Sequence, residues 1–370
     1  MPSKLFGKPK SVELFKSEKY LYLDFVPERL PHRDAQIDEL VHALQPIAEG
    51  KRGSNVFLFG PTGTGKTASA KFVLNELQEF SNRAKYVYVN CFEHKTRHSI
   101  LSLLANFLGI PSPRRGVATD EAFAKFVEGM KKAGFSPVVV LDEFDQLMQE
   151  GEGSNLLYDL LRVSEHQSNR LYVVLISNHS ELTSQLDARV RSSLTEQKIE
   201  FARYSPQELK DILKERANFA FQGGVLDEEA VNVAAAHASK LGGDCRIALE
   251  SLLRAGRIAE RENASKVSLS HLRKAFAEIE TSSARKAVPF LSEPQKLMLR
   301  IIGENPGITS GEIYISFGKK SKSDFSQRHL FGMLSDLENA RLIESEGALK
   351  GKGKTRSFRL KIAPQLLEKP

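Results

Sequence analysis

Short apolar segments alternate with helical patterns along the first two hundred residues of the chain. Apolar runs predict buried strands at residues 56–59, 86–89, 138–141 and 171–176. Apolar positions at helical spacing predict helices at residues 33–44, 66–80, 98–108, 119–132 and 155–164. Short apolar strands that alternate with helices are typical of a parallel sheet covered on both faces. Residues 1–202 are therefore predicted to form an α/β domain that begins with a basic lead-in.

From residue 203 onward the pattern predicts helices without strands. Ser205, Pro206 and Glu208 form a capping box with proline in the first turn, which predicts the start of a helix. Further helices are predicted at residues 227–240, 244–262 and 270–282. Residues 203–283 are therefore predicted to form a small helical domain, and the small and basic residues at 281–289 indicate a linker after it.

Residues 290–370 mix helical and strand patterns. Two helices are predicted to begin at Ser292 and Thr309, followed by a helix at 326–339 and by hairpin strands at 341–345 and 355–360. Three short helices followed by a hairpin are typical of a winged helix. The chain is therefore predicted to hold three domains, which its length of 370 residues allows.

Composition narrows the class of protein. With 41% hydrophobic and 27% charged residues, the chain has the balance of a globular protein. No apolar run reaches the roughly 18–20 residues that a membrane-spanning helix needs. The basic N-terminus lacks the apolar stretch of a secretory signal. Cys91 and Cys245 are far apart in sequence and suggest no disulfide framework, so we expect a cytoplasmic protein without a membrane partner.

One segment matches the phosphate-binding pattern G-x-x-x-x-G-K-[ST] in full. It consists of Gly60, Pro61, Thr62, Gly63, Thr64, Gly65, Lys66 and Thr67. The glycines let backbone N–H groups turn toward phosphates, Lys66 supplies a cation, and Thr67 supplies a hydroxyl for magnesium. Because the motif lies between a predicted strand and a predicted helix, it predicts a site for ATP or ADP with Mg²⁺.

Asp142 and Glu143 follow the predicted strand at residues 138–141. Asp142 can hold Mg²⁺ together with Thr67, directly or through water, and Glu143 can orient or deprotonate the attacking water. The alternative for such a pair is an acidic cap on the helix after a buried strand. With a complete phosphate-binding loop upstream, the pair favours an ATPase.

These motifs, in this order, resemble those of the AAA+ ATPases, whose helical lid corresponds to the predicted helical domain. In that family a polar residue after the fourth strand senses the γ-phosphate, and the resemblance gives this role to Asn178. Residues 243–249 are similar to the sensor 2 motif, which implies that Arg246 lies near the γ-phosphate. From the residues alone, Asn178 also fits a turn and Arg246 also fits a solvated helix position.

The resemblance also implies an arginine finger, which one subunit donates to the nucleotide of another. Residues 186–193 occupy the corresponding position, with Arg189 as the first candidate and Arg191 as the second. Ser192 and Ser193 stand where many relatives carry Ser-Arg. This departure argues against strong stimulation of hydrolysis by self-assembly, and both arginines also fit a structural role.

Over nearly its whole length the sequence resembles the archaeal replication initiators of the origin recognition complex or Cdc type. The resemblance is carried by residues 26–34, 60–67, 141–145, 186–194 and 243–249 and by the predicted winged helix. It implies an AAA+ ATPase that binds double-stranded origin DNA, hydrolyses ATP slowly and uses the nucleotide as a conformational switch. It also implies a replicative helicase and other initiator subunits as partners, and a nucleoid-associated location.

Basic residues indicate where DNA would bind on a chain whose net charge is +7. Gln327 and Arg328 open the helix predicted to enter the major groove. By the resemblance, residues 92–132 also approach DNA, and Arg114 and Arg115 lie within that segment, although from the residues alone this pair also fits a solvated loop. Six cations without an acidic residue among them predict phosphate contacts by the hairpin: Lys350, Lys352, Lys354, Arg356, Arg359 and Lys361.

Two other functions stay open on the sequence. In an ATP-dependent signalling regulator, the winged helix would bind protein and the basic hairpin would be solvated. A motor or clamp-loading ATPase would hydrolyse ATP fast on DNA, which the departure at Ser192 and Ser193 disfavours.

Overall fold

The structure is a computed structural model that describes residues 12–113, 116–165, 170–321, 326–340, 342–350 and 353–362. Three groups of elements follow one another along it: an α/β unit, a helical unit and a C-terminal unit with a small sheet. Among these described residues, no helix combines the length and the apolar character that crossing a bilayer requires.

The α/β unit is a parallel sheet of five strands in the order β2-β3-β4-β1-β5. Its strands are β1 (Val56–Phe59), β2 (Ala84–Asn90), β3 (Ser136–Asp142), β4 (Tyr172–Ser177) and β5 (Gln197–Glu200). Its helices are α1 (Asp34–Ala48), α2 (Lys66–Phe80), α3 (Arg97–Phe107), α4 (Thr119–Lys132), α5 (Asp145–Gln149), α6 (Gly153–Glu165) and α7 (Ala188–Leu194). The predicted α/β fold is confirmed, although β5 was not predicted because only Ile199 in it is both apolar and buried.

Alternate residues of the central strands face two separate hydrophobic cores. In β3, Val138 and Val140 pack in one core and Val139 and Leu141 in the other, as the two-residue period of a strand requires. All four side chains are fully buried. A strand that is buried on both faces has apolar residues at consecutive positions and does not alternate between apolar and polar ones. This is why a continuous apolar run in the sequence predicted its position.

The helical unit, or lid, consists of α8 (Pro206–Ala220), α9 (Glu228–Lys240), α10 (Cys245–Arg261) and α11 (Leu269–Ala287). The predicted capping box at Ser205 is present at the start of α8. The lead-in was predicted to belong to the α/β domain, whereas Leu14, Phe15 and Leu21 pack in the core of the lid. The Phe15 ring stacks on Phe221 with a centroid distance of 4.5 Å, so the lead-in joins the lid at the start of the described chain.

The predicted linker at residues 281–289 is wrong. Helix α11 continues to Ala287, and a short helical turn, Val288–Phe290, follows it directly. Ala287, Val288 and Leu291 pack against the core of the C-terminal unit. Because this segment is helical and its apolar side chains are packed, the lid and the C-terminal unit are joined without an extended connection.

The C-terminal unit has the predicted order of three helices and a hairpin. Its elements are α12 (Glu293–Glu304), β6 (Ile308–Thr309), α13 (Ser310–Lys320), α14 (Gln327–Asn339), β7 (Ile343–Lys350) and β8 (Gly353–Leu360). Strand β8 is paired antiparallel with β6 on one side and with β7 on the other. The hairpin strands are longer than predicted. This arrangement is the one expected of a winged helix.

Candidate nucleotide site

The carboxyl ends of β1, β3 and β4 meet at one edge of the sheet because these strands are parallel neighbours. Phe59 lies beside Ser177 in the register of β1 and β4. The segments that follow the three strands begin at Gly60, Glu143 and Asn178 and therefore emerge side by side. The predicted phosphate-binding, acidic and sensor residues are thus brought together by the sheet.

Lys66 is the buried centre of the phosphate-binding loop. Its Nζ donates hydrogen bonds to the backbone oxygens of Gly60 and Pro61, both at 2.7 Å, and to Oδ1 of Asn178 at 3.0 Å. Burial lowers the pKa of the Lys66 ammonium to about 8, and the nearby Glu143 carboxylate opposes this shift. The three acceptors fix the ammonium at the end of the loop, where a cation can attract phosphate oxygens.

The lid contacts the phosphate-binding loop at Gly63. The backbone of Gly63 has a φ of 70°, in the left-handed region that favours glycine. A Cβ at this position would collide with the Asp244 carboxylate. The backbone N–H of Cys245 donates to the oxygen of Gly63 at 3.2 Å. The start of helix α10 is therefore held directly on the loop.

Thr67 and Asp142 supply the oxygen atoms of the predicted magnesium site. The Thr67 hydroxyl donates to Oδ2 of Asp142 at 2.7 Å, and the Tyr88 hydroxyl donates to the same oxygen at 2.7 Å. Burial, and then the Asp142 charge, raise the pKa of Tyr88, which keeps its hydroxyl a donor. A hydroxyl and a carboxylate fit Mg²⁺, which takes few protein oxygens and keeps water or phosphate in its other positions. Tyr88 was missed by the sequence analysis.

Glu143 lies next to Asp142 and is connected to Lys66 through Asn178. The Asn178 side chain donates from Nδ2 to Oε2 of Glu143 at 3.0 Å while its Oδ1 accepts from Lys66. Burial raises the pKa of Glu143, and the charges of Asp142 and Asp145 add to this effect. A carboxyl group with a raised pKa is a better proton acceptor than an exposed one. The predicted sensor and the candidate base thus belong to one hydrogen-bonded group.

A pocket of about 950 Å³, part of which is open to solvent, extends from the phosphate-binding loop between the lead-in and the lid. Lead-in residues Leu23, Phe25 and Pro27 line one side, and lid residues Ile212 and Leu249 line the other. Lys66 and Asp142 line its polar end. An apolar pocket that ends at a phosphate-binding loop fits a purine nucleotide, with the base between lead-in and lid.

Arg33 connects three segments around this site and was not singled out from the sequence. Its side chain is 4% exposed. Nε donates to the oxygen of Thr64 and Nη2 to the oxygen of Ala202, both at 2.8 Å. The guanidinium also lies 3.7 Å from the centre of the Tyr204 ring. Arg33 therefore joins the lead-in, the phosphate-binding loop and the connection between β5 and the lid.

We expect Arg33→Gln to weaken ATP binding and to lower stability together. The substitution leaves buried backbone oxygens without their donor, and each such oxygen costs about 1–3 kcal/mol. Thermal unfolding measures the stability, and titration with ATP measures the affinity. Arg33→Lys keeps the charge but lacks the fork of donors, so we expect it to retain only part of the ATP affinity and only part of the stability.

Arg273→Gln, at an exposed position of α11, is the matched control for this prediction. It removes the same charge away from the pocket, so both its melting temperature and its ATP affinity should equal those of the wild type. An Arg33→Gln variant with unchanged ATP affinity would show that Arg33 does not position the phosphate-binding loop.

The three predicted arginines lie in different surroundings. Arg246, at the start of α10, is exposed and lines the pocket. Its positive charge is one of the groups that oppose the raised pKa of Glu143. Arg189 is exposed on α7 and is not among the residues that line the pocket, and Arg191 donates to the oxygen of Ser184 at 3.2 Å. A role in trans for Arg189 stays a prediction.

The predicted DNA-binding residues lie in two kinds of surroundings. Gln327 and Arg328 are exposed in the first turn of α14, as an approach to DNA requires. Arg356 is paired with Glu338, with Nη2 2.7 and 2.6 Å from its two carboxylate oxygens, and this pair competes with a phosphate contact. Arg359 is exposed, and Lys361 lies near Glu280. Arg114, Arg115 and Lys352 and the side chains of Lys350 and Lys354 lie outside the described residues.

The phosphate-binding loop, the acidic pair and a helical lid over a parallel sheet define a P-loop ATPase of the AAA+ class. Comparison with protein families agrees with this assignment. A model described as AAA domain matches residues 49–186. A model described as Cdc6 AAA+ ATPase-type lid domain matches residues 210–277.

Whole-chain comparisons identify the family within this class. The chain is 36% identical to the ORC1-type DNA replication protein 1 of Archaeoglobus fulgidus over 373 residues, 97% of this chain and 91% of the relative. It is 36% identical to the ORC1-type DNA replication protein of Thermococcus kodakarensis, over 96% of this chain and 90% of that protein. The solved structure of the Aeropyrum pernix ORC1 protein in complex with DNA matches with a TM-score of 0.78 and 32% identity, over 96% of each chain.

The chain belongs to the family of ORC1-type DNA replication proteins. The predicted resemblance to archaeal replication initiators is thereby confirmed, and so is the prediction of an AAA+ ATPase. The individual roles of the site residues remain predictions, which the geometry above makes specific.

Proposed function

We propose that this chain marks replication origins by binding double-stranded DNA while it holds ATP or ADP. The C-terminal unit supplies base contacts from Gln327 and Arg328 and phosphate contacts from its hairpin. Hydrolysis is slow, and the nucleotide acts as a conformational switch. A replicative helicase and other initiator subunits are its further partners, and it works in the cytoplasm at the nucleoid.

Magnesium belongs to this proposal because Thr67 and Asp142 supply suitable oxygens. They would hold Mg²⁺, which neutralises phosphate charge when it is bound. Lys66 and Arg246 bring cations to the phosphates, and Asn178 holds the Glu143 carboxylate toward the same place. These residues orient the triphosphate and keep a proton acceptor beside it.

The observation that carries the switch is the continuous connection from the nucleotide pocket to the C-terminal unit. Cys245 at the start of α10 is bonded to Gly63 of the phosphate-binding loop. Helix α10 packs against α11. Ala287 at the end of α11, and Val288 and Leu291 just after it, pack against the core of the C-terminal unit. A change of the loop between ATP and ADP can therefore move the lid and change the angle of α14 relative to DNA.

A map of the purified protein on its own fragmented chromosomal DNA, with ATP and with ADP, tests this proposal. We expect a few sharp and repeated sites, and we expect Arg328→Gln to lose them. Arg300→Gln is the matched control, because Arg300 is an exposed arginine of the same unit on α12, outside the helix proposed to contact bases. If no DNA site is preferred in either nucleotide state although the protein still binds ATP, the proposal is overturned. The C-terminal unit would then be assigned to binding a protein partner.

A further inference from the structure

A second group of cations lies at the amino ends of the strands, at the edge of the sheet opposite the nucleotide site. Lys51, Arg52, Arg83 and Arg170 line one depression there, which we call the basal depression. Arg52 precedes β1, Arg83 precedes β2 and Arg170 precedes β4. These cations are far apart in sequence and meet because parallel strands begin at the same edge.

The order of the strands arranges these cations in a row. Strands β2 and β1 are separated by β3 and β4, so the row covers three strand spacings, or roughly 14 Å. One strand of a DNA duplex carries one phosphate per about 3.4 Å of the helix axis, so about four phosphates of that strand lie along such a length, as many as the four cations of the row. The basal depression therefore matches the charge spacing of a duplex backbone rather than that of a single small anion.

The charge of the basal depression is largely uncompensated. No described residue that lines it is acidic. Lys51 is paired with the neighbouring Glu49 at 2.7 Å, while Arg83 donates to the backbone oxygen of Glu49, which leaves the guanidinium charge in place. Arg52 and Arg170 are exposed. Grouped positive charges of this kind repel one another and attract a polyanion.

The side chains of the depression suit phosphates better than a protein surface. Arginine forks match the oxygens of a phosphate group in geometry and charge. A protein interface has an apolar or aromatic centre, whereas Ile47 and Tyr172 in this depression are 2% and 6% exposed. The half-buried ring of Phe135 also lines the depression, and the Lys85 ammonium lies 4.8 Å from its centre. The accessible groups of the depression are therefore mainly cationic.

We propose that the basal depression is a second, sequence-independent contact for the DNA backbone, separate from the C-terminal unit. The proposal rests on the DNA binding proposed above and extends it to a surface of the ATPase sheet. A duplex long enough to reach both surfaces is held at both, and a short duplex is held without the basal depression.

The test uses the full chain and measures the salt dependence of DNA affinity by fluorescence anisotropy. The variant is Lys51→Gln/Arg52→Gln/Arg170→Gln, which keeps Arg83 because its side chain holds the oxygen of Glu49. The control is Lys240→Gln/Lys266→Gln/Arg273→Gln, which removes the same charge from exposed lid positions. Unchanged ATP binding establishes that both variants are folded.

On a duplex of several helical turns, we expect the slope of log affinity against log salt to become less steep by about 2.7 in the basal variant, at about 0.9 for each of the three lost phosphate contacts. The control should keep the wild-type slope, and on a short duplex all three proteins should agree. A basal variant that equals the control on the long duplex overturns the inference, while loss of binding by Arg328→Gln in the same assay upholds the proposed function. Absence of DNA binding by the wild type overturns both.

Discussion

Glu143→Gln is expected to lower the rate of ATP hydrolysis by roughly 10²- to 10⁴-fold while ATP binding is retained. The Glu143 carboxylate is the predicted proton acceptor beside the phosphates, and an amide of the same shape cannot accept the proton. The amide oxygen can still accept the hydrogen bond from Asn178, so the arrangement of Lys66 should persist. Single-turnover phosphate release measures the rate, and titration with ATP measures the affinity.

Glu150→Gln is the matched control, because Glu150 is an exposed glutamate seven residues further on, after α5. It should hydrolyse ATP at the wild-type rate. Because the pKa of Glu143 is raised, we expect the wild-type rate of hydrolysis to fall as the pH is lowered. This fall should occur at a higher pH than the one at which an ordinary glutamate takes up a proton. Wild-type hydrolysis by Glu143→Gln would assign the proton acceptor to another group.

The same variant tests the switch. If the nucleotide sets the conformation and hydrolysis only resets it, Glu143→Gln with ATP should bind DNA as the wild type does. A variant that binds ATP but has lost all DNA association would refute the switch in this form.

Lys66→Ala is expected to weaken ATP binding by about 100-fold, which corresponds to about 2.8 kcal/mol. Hydrogen bonds that involve a charged partner contribute about 1.5–3 kcal/mol each, and Lys66 is the buried cation of the phosphate-binding loop. Equilibrium titration with a fluorescent ATP analogue measures the loss. Lys240→Ala, at an exposed lid position, should leave the affinity unchanged.

The lowered pKa of Lys66 adds a dependence on pH. Burial holds the pKa at about 8, and phosphate charge beside Nζ raises it again, so ATP binding above pH 8 includes the uptake of a proton. The affinity should therefore fall as pH rises through 8, by up to about tenfold per unit. Lys66→Ala should lack this decline. A wild-type affinity that is constant across this range would contradict the assigned role of the ammonium.

The nucleotide site was predicted from the sequence because its parts are contiguous motifs next to buried strands. The phosphate-binding loop contains Lys66 and Thr67 in one stretch, and an apolar run delivers Asp142 and Glu143. These motifs meet as long as the strands before them are parallel neighbours in one sheet. The apolar character of the strands predicted such a sheet. Asn178 needed the family resemblance, since an asparagine after a strand also fits a turn.

Residues that act across the fold could not be predicted in this way. Arg33 bonds to Thr64 and to Ala202, 31 and 169 residues away, and its surrounding sequence has no pattern that indicates burial. Tyr88 acts on Asp142 because β2 pairs with β3. The linker prediction failed because the small and basic residues at 281–287 do not by themselves indicate a helix or a linker. Helix α11 continues through them, and the apolar side chains that follow pack against the C-terminal core.

The sequence by itself determined the class of the fold, the phosphate-binding loop and the acidic pair, because each depends on residues that are close together in the chain. Tertiary structure alone decided three further features. These are the packing of the lead-in into the lid, the junction at Arg33 and the meeting of Arg52, Arg83 and Arg170 at the base of the sheet. The physical reason is that strand order and long-range burial set which distant residues become neighbours, and a linear pattern carries no record of that order.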